Sequence, residues 1–140
     1  MLIFSLKGGE VMNKLSSKFL SMEVAKAFID AVQKDESNSI NGILLLTSFG
    51  IVYGKFHEFT NLEVNNTPAD ILLNIKSTRY DELISESQEI FGDGSTITLN
   101  DAIVKYSPGI TLNMKEIIIF CDQIIGYYPI DLKTFEQLQK

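Results

Sequence analysis

The stretch Ile40-Asn41-Gly42-Ile43-Leu44-Leu45-Leu46-Thr47, then Ser48-Phe49-Gly50, then Ile51-Val52-Tyr53-Gly54-Lys55-Phe56-His57-Glu58-Phe59, decides how this chain reads. The first run is rich in branched apolar residues and bounded by turn formers, the pattern of a buried strand. Ser48-Phe49-Gly50 is a tight reversal. The second run has β-type residues with Gly54 in the middle, as at a bulge or sharp bend. Together they predict a hairpin whose second strand coils strongly.

Upstream, Leu15, Phe19, Met22, Ala25, Ile29 and Val32 recur at steps of three and four, with Lys14, Lys18, Glu23, Lys26, Asp30 and Lys34 between them. This spacing predicts an amphipathic helix of about six turns, ending before Asp35-Glu36-Ser37-Asn38-Ser39. Met1-Leu2-Ile3-Phe4-Ser5-Leu6 is too short an apolar run for an export signal. Lys7-Gly8-Gly9-Glu10 is what a purine-rich stretch like a bacterial ribosome-binding site would encode, just ahead of Met12. Residues 1–11 therefore read as a gene-start extension, and residues 12–140 as a single domain.

Downstream, Thr67-Pro68-Ala69-Asp70 is a helix start, with Thr67 as cap, Pro68 in the first turn and Asp70 facing the positive dipole end. The expected helix runs through Ile71, Leu72 and Ile75. It breaks at Ser77-Thr78 and resumes from Asp81-Glu82 through Leu83, Ile84 and Ile90, until Gly92-Asp93-Gly94-Ser95 ends it. Thr96 to Tyr106 alternates Ile97 and Leu99 against Thr96, Thr98 and Asn100, a half-buried strand. Ser107-Pro108-Gly109 is a turn. Ile117 to Cys121 and Ile124 to Tyr128 are two short strands hinged near Asp122-Gln123, and Asp131 to Lys140 forms one or two helical turns.

The chain has 140 residues, 12 basic and 18 acidic side chains, a net charge of −6 and an apolar fraction of 45%. That is one globular domain able to bury a core without disulfides or metals. The single cysteine and the missing export signal point to the cytoplasm. The acidic balance disfavours DNA and non-specific nucleic-acid binding, and no apolar stretch is long enough to span a membrane. The acidic surplus lies in the segment 61–95, where Glu63, Asp70, Asp81, Glu82, Glu86, Glu89 and Asp93 face only Lys76 and Arg79. Glu82, Glu86 and Glu89 read as a solvated helix face.

The order helix, strand, bent strand, insert and three strands is that of an α+β fold: an N-terminal helix followed by a small, strongly bent, five-stranded antiparallel barrel. Thr98-Leu99-Asn100-Asp101-Ala102-Ile103-Val104 and Glu116 to Gly126 resemble the third strand and the closing strand pair of Sm-like domains. Gly50 to Gly54 resembles that family's glycine-marked first motif. The resemblance implies a five-stranded barrel with a helical insert at 61–95, oligomerisation into rings through strand edges, and binding of single-stranded RNA or a protein partner. Where the family carries a basic-Gly-Asp turn, this chain has Phe120-Cys121 with Asp122 retained. An apolar pair offers neither guanidinium stacking nor a phosphate contact. Gly42 to Val52 is also similar to the first hairpin of roadblock and longin-like modules, dimeric non-catalytic platforms that place a helix after the hairpin and another at the C-terminus.

The chemistry-bearing inventory is small. His57 is the sole histidine and Cys121 the sole cysteine, so no His-rich metal site is available and no cofactor motif is present. Cys121, in Ile-Ile-Phe-Cys, reads as a buried small hydrophobe, His57 as a surface or rim residue, and Gly92-Asp93-Gly94 as a turn. No catalytic residue is assigned, and the protein reads as a non-enzyme. The candidate ligand or interface residues are Tyr53, Phe56, His57, Asp122, Gln123, Tyr127 and Tyr128, with Phe59 and Tyr106 as further strand aromatics. Tyr127 and Tyr128 are neighbours on a strand and point to opposite faces, so at least one ring meets solvent or another chain.

Overall fold

A computed structural model describes residues 2–7, 10–58 and 67–139. Phe59, Glu63 and the start of the insert lie outside the described residues. The element order is β1 (Leu2–Lys7), β2 (Glu10–Leu15), α1 (Ser17–Gln33), β3 (Gly42–Thr47), β4 (Gly50–Phe56), α2 (Pro68–Ser85), β5 (Thr96–Tyr106), β6 (Ile110–Phe120), β7 (Ile124–Ile130) and α3 (Leu132–Leu138), with a 3-10 turn, Cys121–Gln123, between β6 and β7. The fold is α+β.

β1 and β2 pair antiparallel from Leu2↔Leu15 to Lys7↔Glu10. Leu15 is therefore the end of a strand rather than the start of the helix. Ser16 caps α1, its hydroxyl accepting the Phe19 N–H at 3.2 Å. Met22, Ala25 and Ile29, at helical spacing, are buried in the core.

The remaining strands form one antiparallel sheet in the order β6-β5-β4-β3-β7. The sheet is open, with β6 and β7 as its two edges. The β3–β4 hairpin closes with a two-residue loop in which Thr47 Oγ1 accepts the Gly50 N–H and donates to the Gly50 carbonyl. Gly50 has φ +155°, and a Cβ there would run into the Lys105 carbonyl.

Gly54 marks the bend, as its place in the sequence suggests. The β4–β5 register passes from Tyr53↔Ile103 to Lys55↔Asn100, so Gly54 lies opposite two residues of β5, a bulge. A Cβ on Gly54 would come within 2.8 Å of the Asn100 carbonyl oxygen. Asp101, in the bulge, has φ 49°, a left-handed conformation that Asp tolerates better than most residues. The extra residue resets the alternation of β5. Ile97 and Leu99 before it, and Ala102 and Val104 after it, are all buried in the same core. That core also takes Ile43, Leu45, Val52, Ile119, Cys121 and Ile124.

Three expectations are corrected. First, α2 runs unbroken through Ser77-Thr78, because Leu73, Lys76, Tyr80 and Leu83 are half-buried at steps of three and four, and docking outweighs the few tenths of a kcal/mol by which Ser and Thr disfavour a helix. Second, α2 stops at Ser85, short of Ile90. Ser87 turns left-handed at φ 61°, Ser87 N–H bonds the Ile84 carbonyl at 3.0 Å, and Gln88 N–H bonds the Leu83 carbonyl at 2.9 Å, a Schellman ending without glycine. Third, β6 starts at Ile110 rather than near Ile117, pairing with β5 from Tyr106↔Ile110 to Thr96↔Phe120. The alternation Ile110, Leu112, Met114 against Thr111, Asn113, Lys115 is its period-two signature.

The C-terminal segment is a helix of 7 residues capped by Asp131, whose carboxylate accepts the Lys133 and Thr134 N–H groups. Its Leu132 fills the space over Gly42, and Phe135 meets Tyr53 edge-on with ring centroids 4.9 Å apart. No helix among the described residues is long and apolar enough to cross a membrane.

Candidate functional site

The strand order makes β6 and β7 the two rows of backbone N–H and C=O groups without a sheet partner among the described residues. Such edges are templates for pairing with another chain. Both carry exposed apolar side chains: Ile110, Leu112, Met114 and Phe120 on β6, and Ile125, Tyr127 and Tyr128 on β7, with Ile125 73% and Tyr128 69% exposed. Tyr127 lies opposite the fully buried Leu45 and Tyr128 opposite Leu44, so the two rings stand on opposite faces of β7, and both reach solvent.

The 3-10 turn joining the edges is held by its backbone. Cys121 N–H bonds the Ser95 carbonyl at 2.9 Å, Ser48 N–H bonds the Gln123 carbonyl at 3.2 Å, and Lys18 Nζ donates to the Asp122 carbonyl at 3.1 Å. The Ser48 hydroxyl donates to Gln123 Oε1, so Gln123 serves the turn, while the Asp122 side chain is exposed.

Of the seven residues singled out in the sequence, Asp122, Gln123, Tyr127 and Tyr128 thus come together on the turn and the β7 edge. The other three lie elsewhere. Tyr53 is 2% exposed beneath Phe135, with Lys105 Nζ 5.8 Å from its ring centroid. Burial, and then the nearby Glu136 carboxylate, push its phenol pKa up. Phe56 packs against the core.

His57 is not a rim residue. It is 6% exposed, because α2 docks over it. Its Nε2 is 2.8 Å from Asp70 Oδ1 and its Nδ1 is 2.8 Å from Asn100 Oδ1. Asp70 Oδ2 also accepts the Thr67 N–H and hydroxyl, each at 3.1 Å, and Thr67 Oγ1 accepts the Asp70 N–H at 3.3 Å. One carboxylate therefore closes the capping box of α2 and binds the imidazole. The His57 hydrogen bond, helped by the Thr67 N–H, holds the Asp70 carboxyl below the usual carboxylate range. Glu116 on β6 completes the cradle by accepting the Ala69 N–H at 2.8 Å, an anion at a helix N-terminus. Beside it, an open groove between α2 and β6 is lined by Pro68, Leu72, Met114, Ile117 and Ile118.

Cys121 is fully buried in the core, where loss of hydration pushes its thiol pKa up. Its thiol has the Ser95 hydroxyl as a neighbour, whereas the His57 ring meets Asp70 and Asn100. Among the described residues no three His, Cys, Asp or Glu side chains gather as a metal site.

Sequence reasoning missed the β6 half of the edge pair, although the alternation of Ile110, Leu112 and Met114 signals it. It also missed the His57–Asp70 pair, which nothing local signals beyond the capping box. No family model matches the chain, and no curated protein matches it.

Proposed function

We propose that this protein is a non-catalytic, self-associating module of the Sm-like kind, in which the β6 edge of one copy pairs with the β7 edge of the next. One observation carries the reading: the sheet ends in two open edges, and each bears a row of exposed apolar side chains. Different edges meeting head to tail generate a ring where the rotation closes, and a ring removes the edges that an open sheet leaves exposed. The glycine bulge in β4 and the short turn between the outer strands also suit the small bent barrel that the resemblance implies.

Solution mass by light scattering tests the reading. We expect an oligomer larger than a dimer, which Leu112→Lys on the edge strand β6 reduces while leaving the circular dichroism unchanged. A monomer at all concentrations overturns the reading. Single-stranded RNA is a ligand of this assembly only if a titration shows affinity falling steeply with salt.

A second reading, a roadblock-like dimeric platform, draws support from α2 after the hairpin and from the capped C-terminal α3. A strict dimer insensitive to Leu112→Lys favours it.

A further inference from the structure

α1 has two apolar faces and uses one. Met22, Ala25 and Ile29 are in the core. On the opposite side Leu20, Val24, Ala27 and Ala31 succeed each other at steps of four, three and four, the a/d spacing of a helix–helix seam. All four are exposed, Leu20 by 48% and Val24 by 59%, and Phe28, 38% exposed, flanks them. A helix apolar on both sides is ordinarily covered on both.

We infer that a second copy of α1, running antiparallel, covers this seam. The order of sizes carries the choice of occupant. In an antiparallel pair with a and d positions facing, Leu20 lies over the partner's Ala31 and Val24 over the partner's Ala27. Every large side chain thus meets a small one, the arrangement that lets layers interdigitate. A parallel pair would stack Leu20 on its own equivalent at one end and leave facing alanines at the other.

Charge and area then set the strength. Glu23 and Asp30 flank the seam on one side, and the antiparallel pairing brings Glu23 near the partner's Asp30 twice, a like-charge contact that weakens association. A helix of 17 residues is about 25 Å long and about 10 Å wide. Its footprint is on the order of 250 Å², against about 800 Å² per partner in a stable interface. The contact therefore does not hold two copies alone. The inference rests on the strand-edge association proposed above, which supplies several such helices on one assembly so that weak contacts act together. The seam pairs two edge-built assemblies through a two-fold axis.

Sedimentation of the full chain tests it with Val24→Lys, Glu23→Lys and Leu112→Lys. We expect wild type to hold an even number of copies, Val24→Lys to halve the mass, and added salt to tighten wild-type association. Glu23→Lys turns both repulsive contacts into attractive ones and should lower the concentration of half-association about tenfold. Because Glu23 is exposed, that variant decides the matter even if Val24→Lys unfolds. An odd number of copies, a mass unchanged by Val24→Lys with its helix intact, or weaker association of Glu23→Lys overturns the inference and leaves the seam to another partner or another part of the chain. The edge reading fails separately, through a mass that Leu112→Lys does not change. A wild type that stays monomeric overturns both.

Discussion

α1 and α2 are of nearly equal length, 17 and 18 residues, yet they are held to the sheet by opposite chemistry. α1 buries Met22, Ala25 and Ile29 in the main core. α2 buries only Ala69 and Asp70, and exposes Ile71, Leu72 and Ile75, the last by 60%. Beyond its first turn Lys76 ties it to the rest of the chain, its Nζ donating to the Gly94 carbonyl at 2.8 Å and lying 5.8 Å from the Phe120 ring centroid. Apolar docking ties α1 to the stability of the whole domain. α2 docks through the Asp70 and Glu116 carboxylates at its first turn and a face that is only half-buried beyond it, so it should open more readily than α1.

Removing Ile29 should break that contrast from the α1 side with the largest effect. Ile29→Ala leaves a cavity in the shared core and should cost about 2–5 kcal/mol, lowering the midpoint of a single cooperative unfolding transition followed by circular dichroism. A variant that lost only helix signal, with the sheet intact, would show that α1 is not part of the main core.

Asp70→Ala acts on the other helix. It removes the capping box and the carboxylate that His57 Nε2 meets, at a cost of about 2–3 kcal/mol. The loss should appear as faster amide hydrogen exchange confined to α2, with β3, β4 and β5 still protected. Uniform loss of protection would mean that α2 and the core are one cooperative unit.

Acid sharpens the same distinction with a smaller effect. A carboxyl whose pKa is depressed in the folded state stabilises fully above its unfolded value, and that stabilisation is lost as pH falls through the folded value. The Asp70 contribution to the docking of α2 should be full above about pH 4 and weaken below it. Exchange of α2 amides as a function of pH measures this, and the acid-dependent part should vanish in Asp70→Asn.

The smallest expected effect has the opposite sign. Thr98 is 4% exposed and its hydroxyl has no hydrogen-bond partner among the described residues. Thr98→Val replaces it with an apolar group of the same shape and should stabilise the domain by up to about 1 kcal/mol. A loss of more than that in a denaturant titration would show that this hydroxyl is satisfied in solution.

Local chemistry was legible wherever the signal sits within one turn or one strand pair. The spacing of Met22, Ala25 and Ile29 marks the buried face of α1, Thr67-Pro68-Ala69-Asp70 marks the start of α2, and Gly54 marks the bend. The end of α2 was not legible, because a left-handed serine does the work expected of a glycine. Nor was the start of β6, because its upper half is an exposed ribbon of alternating polar and apolar residues, without the branched run that announces a buried strand.

Interactions between residues far apart in the sequence were decided by the tertiary structure. His57 and Asn100 are 43 residues apart, and neither shows in its own neighbourhood that it will meet the other. The same holds for the sheet order: the hairpin is written in Ile40 to Phe59, but that β5 pairs with β4 and β7 with β3, leaving β6 and β7 open, depends on which faces bury together. A strand pattern specifies a period and a buried face, and several partners satisfy both. Only the shared core under α1, with the bulge at Gly54 turning both halves of β5 towards it, selects one arrangement. By itself the sequence determined where the β3–β4 hairpin and the start of α2 lie and which side of α1 is buried, because those follow from neighbours a few residues away. The edges, the buried carboxylate and the uncovered seam of α1 follow from what those sides meet.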